Sequence, residues 1–161
     1  MFRPKLSHER QVKRYAFADD EGWERLVLQY DTIIETVNHR FPEIQKRDEC
    51  VEIINCADDL KNLPYLYFPA FWKLLEVTLL ASEIDEDLLN RIFSFMEEMA
   101  ICEDANVVDL MQIEMLEPLF GLEYAHYQRV VKRYLQPKTI LLHQEQISYF
   151  KLPCNPDIKK E

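Results

Sequence analysis

Glu123-Tyr-Ala-His126 sets a carboxylate and an imidazole three residues apart. Helix bundles use that spacing to point two ligands at one di-iron centre. Such a centre needs a second Glu-x-x-His pair and two further glutamates. His8, His39 and His143 have no glutamate three positions earlier. The half-motif therefore predicts two polar residues near a helix start, and no metal. Glu35 and His39 stand four apart on one helix face without a His-Glu-x-x-His frame, and read as a solvated pair. Gly22 and Gly121, too far apart for a phosphate- or dinucleotide-binding loop, are the only glycines, and no Gly-x-Ser-x-Gly occurs. Cys50, Cys56, Cys102 and Cys154 are scattered without a Cys-x-x-Cys. The first three fall in or beside apolar helical stretches, where a thiol packs as a small hydrophobe and makes a poor thiolate. These residues predict a protein without catalysis or cofactor; an enzyme using His126 and nearby acids is the weaker alternative.

Charge says more. Between Leu74 and Gln128 stand thirteen acids and one base, Arg91, a net of −12 over 55 residues. Carboxylates packed that densely repel one another, and they also create a field that recruits a cationic partner. Within the run, Glu97, Glu98, Glu103, Asp104 and Asp109 are expected to form a rim that contacts lysines and arginines of that partner, and Glu117 is a further candidate contact. The competing reading is a surface that is simply acidic and solvated. Glu114 differs, because on a helical wheel it falls among Val107, Leu110 and Met111. A carboxylate there needs a Tyr or Arg from a neighbouring helix, or its pKa rises, so a structural role is expected. Tyr65, Tyr67 and Phe68 lie between Pro64 and Pro69, in what reads as a loop. Aromatics there either anchor an interface or tuck into the core; Tyr65 and Tyr67 are taken as candidate contacts.

The elements that must carry these groups are helical. Trp23, Leu26, Val27, Tyr30, Ile33, Ile34, Val37 and Phe41 recur at three- and four-residue steps, predicting a helix from Gly22 to Phe41. A second is expected from Asp48 to Leu60. A third, from Ala70 to Ser82, is apolar nearly all round and contains Trp72, which places it at the centre of the core. Asp85 should cap a fourth, with Leu88, Leu89, Ile92, Phe95, Met96 and Met99 inward, and Asp87 and Arg91 paired on its surface. A fifth begins near Val107, capped by Asn106 or Asp104, and is kinked or ended by Pro118, with Gly121 left-handed at its end. Tyr124–Leu135, with Tyr124, Tyr127, Val131, Tyr134 and Leu135 on one side, and Thr139–Phe150 complete an all-α domain of about seven helices, an irregular antiparallel bundle or stacked helical hairpins, over residues 19–152.

Residues 1–18 form a basic arm, with Arg3, Lys5, Arg10, Lys13 and Arg14 against Glu9. It reads as solvated or docked on the acidic body; touching RNA or a membrane is the alternative. Residues 153–161 read as a loose tail. The overall charge of −10 opposes direct nucleic-acid binding. No membrane span or signal peptide is expected, and the cysteine usage suits the cytoplasm.

The run Asn106-Val-Val-Asp-Leu-Met-Gln-Ile-Glu-Met-Leu-Glu-Pro-Leu-Phe-Gly, followed by Leu135-Gln-Pro-Lys-Thr, resembles small helical bacterial immunity proteins of contact-dependent growth inhibition and polymorphic toxin systems. The likeness covers about residues 100 to 150. It implies a cytoplasmic inhibitor without catalysis, paired with a cognate toxin domain. Charge suggests a basic nuclease as that partner, because a groove built for phosphates is one that acids can cover. The alternative from another class is a helical adaptor or regulatory subunit for a cellular protein.

Overall fold

The structure is a computed structural model that describes residues 27–56 and 63–150. The basic arm with His8, the Gly22–Leu26 stretch with Trp23, the 57–62 connection with Ala57, and the tail with Cys154 lie outside the described residues. The described residues form an all-α bundle: α1 Ile33–Arg40, α2 Asp48–Asn55, α3 Pro64–Leu79, α4 Glu86–Ala100, α5 Ala105–Met111, α6 Tyr124–Arg133 and α7 Pro137–Tyr149. Helix α3 packs on α1, α2 and α4, and α4 packs in turn on α5 and α7. Where α1, α3 and α4 meet, Phe41, Phe71 and Phe95 form a ring cluster with centroids 4.9 to 5.9 Å apart. The Arg91 and Arg40 guanidiniums lie over Phe41 and Phe95, at 5.4 and 5.1 Å from the ring centroids.

Four expectations are corrected. The first helix does not run through residues 27–29: Gln29 is extended and the helix opens with a tight turn at Tyr30–Thr32. Tertiary partners have taken the backbone groups there. Tyr30 N–H donates to Asp104 Oδ2 at 2.9 Å, and the Leu28 carbonyl accepts from Cys102 Sγ at 3.3 Å. Second, α3 starts at Pro64 rather than Ala70, so Tyr65, Tyr67 and Phe68 are helical. Pro64 occupies the first turn, where no N–H is needed. Pro69 removes only the bond to the carbonyl of Tyr65, which lies on an exposed residue. Third, Arg91 does not serve Asp87; it reaches Glu43 Oε1 at 2.8 Å and the Arg40 carbonyl at 2.6 Å. Fourth, Tyr124 is 69% exposed rather than on the packed side of α6, and Cys56 is exposed as well.

Pro118 neither kinks nor ends its helix outright. Helix α5 widens into a π turn over Gln112–Leu116 and then tightens into a 3-10 turn over Glu117–Gly121. A proline ring at 118 would collide with the carbonyl of Glu114 in an α-helix, and the wider turn moves that carbonyl away. Glu117 N–H bonds to the carbonyl of Gln112 instead. Gly121 is not left-handed, and the chain leaves through an extended Leu122.

Candidate partner-binding cleft

The predicted acidic rim divides in two. Asp104 caps α5 through Asn106 N–H at 3.0 Å as well as holding Tyr30. Glu98 is paired with Arg40 at 2.6 Å. Glu97 is the clearest correction: its Oε1 and Oε2 accept the Lys138 and Thr139 N–H groups at 2.7 and 2.9 Å. It is an anion seated on the N-terminus of α7, supplied from α4 across the bundle. These three acids are bonded within the fold. Asp85 and Glu86 are likewise committed, one capping α4 and the other accepting from the Tyr134 hydroxyl at 2.6 Å. Replacing Glu97 with alanine is expected to destabilise the protein by about 1–2 kcal/mol, the usual worth of a lost cap. Urea melts of the two proteins check it, and an unchanged midpoint would remove Glu97 from the structural set.

Of the candidate contacts, Tyr67 is buried, its hydroxyl donating to Asn38 Oδ1 at 2.5 Å. It pins α3 to α1 and is withdrawn as a contact. Trp72 is half-buried and packs against the core, and Tyr65 stays at the surface against Tyr30, with ring centroids 6.2 Å apart. Glu103 is exposed beyond the C-terminus of α4.

Asp109 and Glu117 remain besides Glu103, and the fold brings a third acid to these two. They line a cleft of about 270 Å³ between the α5–π wall and the C-terminal half of α7, opposite Glu145. No ion pair among the described residues involves any of the three. The negative field is felt by neighbouring groups. Half-buried Glu114 bonds no Tyr or Arg among the described residues, and burial and then the Glu117 charge push its carboxyl above the usual range. Tyr65 is pushed up by burial first, then by Tyr30, Asp109 and Glu114.

Ile113, Tyr149 and Phe150 give the cleft an apolar rim, 44%, 81% and 44% exposed. Its floor includes Gln146, which is 7% exposed. The Gln146 Nε2 donates to the Gln112 carbonyl at 3.0 Å, and its Oε1 has no hydrogen-bond partner among the described residues. Every unsatisfied group named here is an acceptor. A cleft of acceptors with aromatic rings at its rim suits a guanidinium, which brings five donors and a flat face. At this volume it takes one side chain rather than a typical cofactor.

A second groove, between α1 and α4, holds Arg40, Arg91, Asp87 and Glu98, and both of its arginines are already paired, Arg40 with Glu98 and Arg91 with Glu43. Among the described residues no His, Cys, Asp and Glu side chains gather as a metal site, and Glu123 and His126 stay without companions. Burial raises the Cys50 thiol to about 11, which keeps it protonated and inert. No described helix is long and apolar enough to cross a membrane.

The model of a domain of unknown function, DUF7674, matches residues 34–149, from α1 to the end of α7. The chain belongs to the DUF7674 family. No curated protein and no solved structure is detectably similar to it. The DUF7674 match takes in both walls of the cleft, except for Phe150, and all of the acids on it. Sequence reasoning missed Glu145, Gln146, Tyr149 and Phe150. The available signal was the four-residue step from Glu145 to Tyr149 on α7, which stacks the two on one face.

Proposed function

We propose that this DUF7674 protein is a non-catalytic inhibitor, a cytoplasmic immunity protein that seats a basic side chain of its cognate toxin domain in the Asp109–Glu117–Glu145 cleft. The observation that carries the reading is that cleft: three carboxylates that make no ion pair among the described residues, an aromatic rim, and a buried acceptor beneath them. A nuclease is the preferred partner, since its substrate groove must be basic. The acids steer its approach, and the rim supplies the contact area.

The test is co-expression with the product of the gene immediately upstream. Wild-type protein is expected to restore growth that the upstream product arrests, and the cleft variant described in the Discussion to restore much less. An upstream product that does no harm, or harm that the protein does not relieve, would overturn the immunity reading in favour of a helical adaptor.

A further inference from the structure

The chain itself carries a ligand of the right chemistry. Residues 1–14 hold Arg3, Arg10, Arg14, Lys5 and Lys13 against Glu9, a net of +4. We propose that this arm occupies the acidic cleft when no partner is bound, an arginine lying over the Gln146 floor, and that a partner must displace it. The proposal rests on the cleft being a cation site, and is independent of whether the partner is a toxin.

Three observations select this occupant. The described chain begins beside the cleft: Tyr30 is bonded to Asp104, and Asp109 follows five residues along the same helix, about 7–8 Å at the helical rise. Twelve residues separate Arg14 from Val27, and the thirteen Cα steps span up to about 45 Å when extended, so the arm reaches without constraint. Charge then decides between the two ends of the chain. The tail after Phe150 is nearer, but Lys151, Lys159 and Lys160 against Asp157 and Glu161 leave it only +1 and without arginine. Tethering raises the arm's local concentration to the millimolar range, so even a weak site is filled.

Zero-length carbodiimide coupling of the full chain tests this, because it joins only amines and carboxylates already in contact. Lys5 or Lys13 is expected to be joined to Asp109, Glu117 or Glu145 within one molecule. An Arg3→Glu, Arg10→Glu, Arg14→Glu variant retains both lysines, yet should lose those links several-fold. Its cleft carboxylates should become correspondingly more reactive toward added glycinamide. Raising salt to about 0.5 M, where screening acts within ~4 Å, should have the same effect as the variant. Links from Lys151, Lys159 or Lys160 would give the cleft to the tail. Links that mix isotopically labelled and unlabelled chains would give it to a second copy. Either result, an unchanged pattern in the arginine variant, or no arm-to-cleft link at all would overturn the proposal.

Discussion

Changing Asp109, Glu117 and Glu145 together to lysine should slow association with a basic ligand by about 10- to 100-fold, the range over which steering fields act. It should also flatten the dependence of that rate on salt. The three carboxylates make no ion pair among the described residues, so their reversal should leave thermal stability close to that of the wild type. A fluorescent oligoarginine peptide followed by stopped flow at several ionic strengths serves as the probe before any natural partner is known. The matching reversal of Glu97, Glu98 and Asp104 should behave oppositely. It places cations against the N-termini of α7 and α5 and against Arg40, so the protein should unfold at lower denaturant. If the first set left the rate unaltered while the second abolished binding in a folded protein, the cleft would be the wrong surface.

The contrast between the two sets marks what a linear sequence can convey. Counting charges along the chain located the acidic region but could not separate carboxylates used by the fold from those left over. Asp85 and Asp104 were legible as caps because the N–H groups they accept lie three and two residues away. Glu97 was not, because the helix it caps begins forty residues later. Glu145 escaped for the complementary reason: it lies outside the acidic run and joins Asp109 and Glu117 only when α7 folds against the π turn.

Periodicity did better than punctuation. The inward residues of α4 are all buried as their spacing requires. Prolines misled where their structural cost was small: Pro64 and Pro69 read as the bounds of a loop, and both sit inside α3. Pro118 read as a break, and the helix changed its winding instead. That π turn has a consequence for the site. It directs the Gln112 carbonyl to Gln146, so the wall and floor of the cleft are joined where the helix departs from regularity.

Acidification should destabilise the protein through His143, and the loss should begin well above the range in which carboxylates titrate. His143 is 1% exposed, its Nε2 shares a 2.8 Å hydrogen bond with the Tyr127 hydroxyl, and its ring stacks on Phe120 at 4.8 Å. Burial lowers its pKa to about 4, an effect that the neighbouring Gln146 side chain partly opposes. An unfolded histidine titrates near 6.5, so between these two values the unfolded chain binds the additional proton. Stability is therefore fully present above about pH 6.5 and is lost as pH falls toward 4. Between about pH 7.5 and pH 5 the loss from this one group should be roughly 2 kcal/mol. Urea unfolding of the wild type and of His143→Gln at both pH values isolates it, because the other ionisable groups are common to the two proteins. The variant should be less stable at neutral pH, having lost the stacked ring, but its stability should change less on acidification by that same amount. Equal losses in both proteins would mean that His143 is not the sensor. The consequence reaches the cleft, since His143 is one turn from Gln146 on the helix that also carries Glu145 and Tyr149. A proton on that ring acts against the packing of α7, and so against the wall on which a cationic partner would have to close.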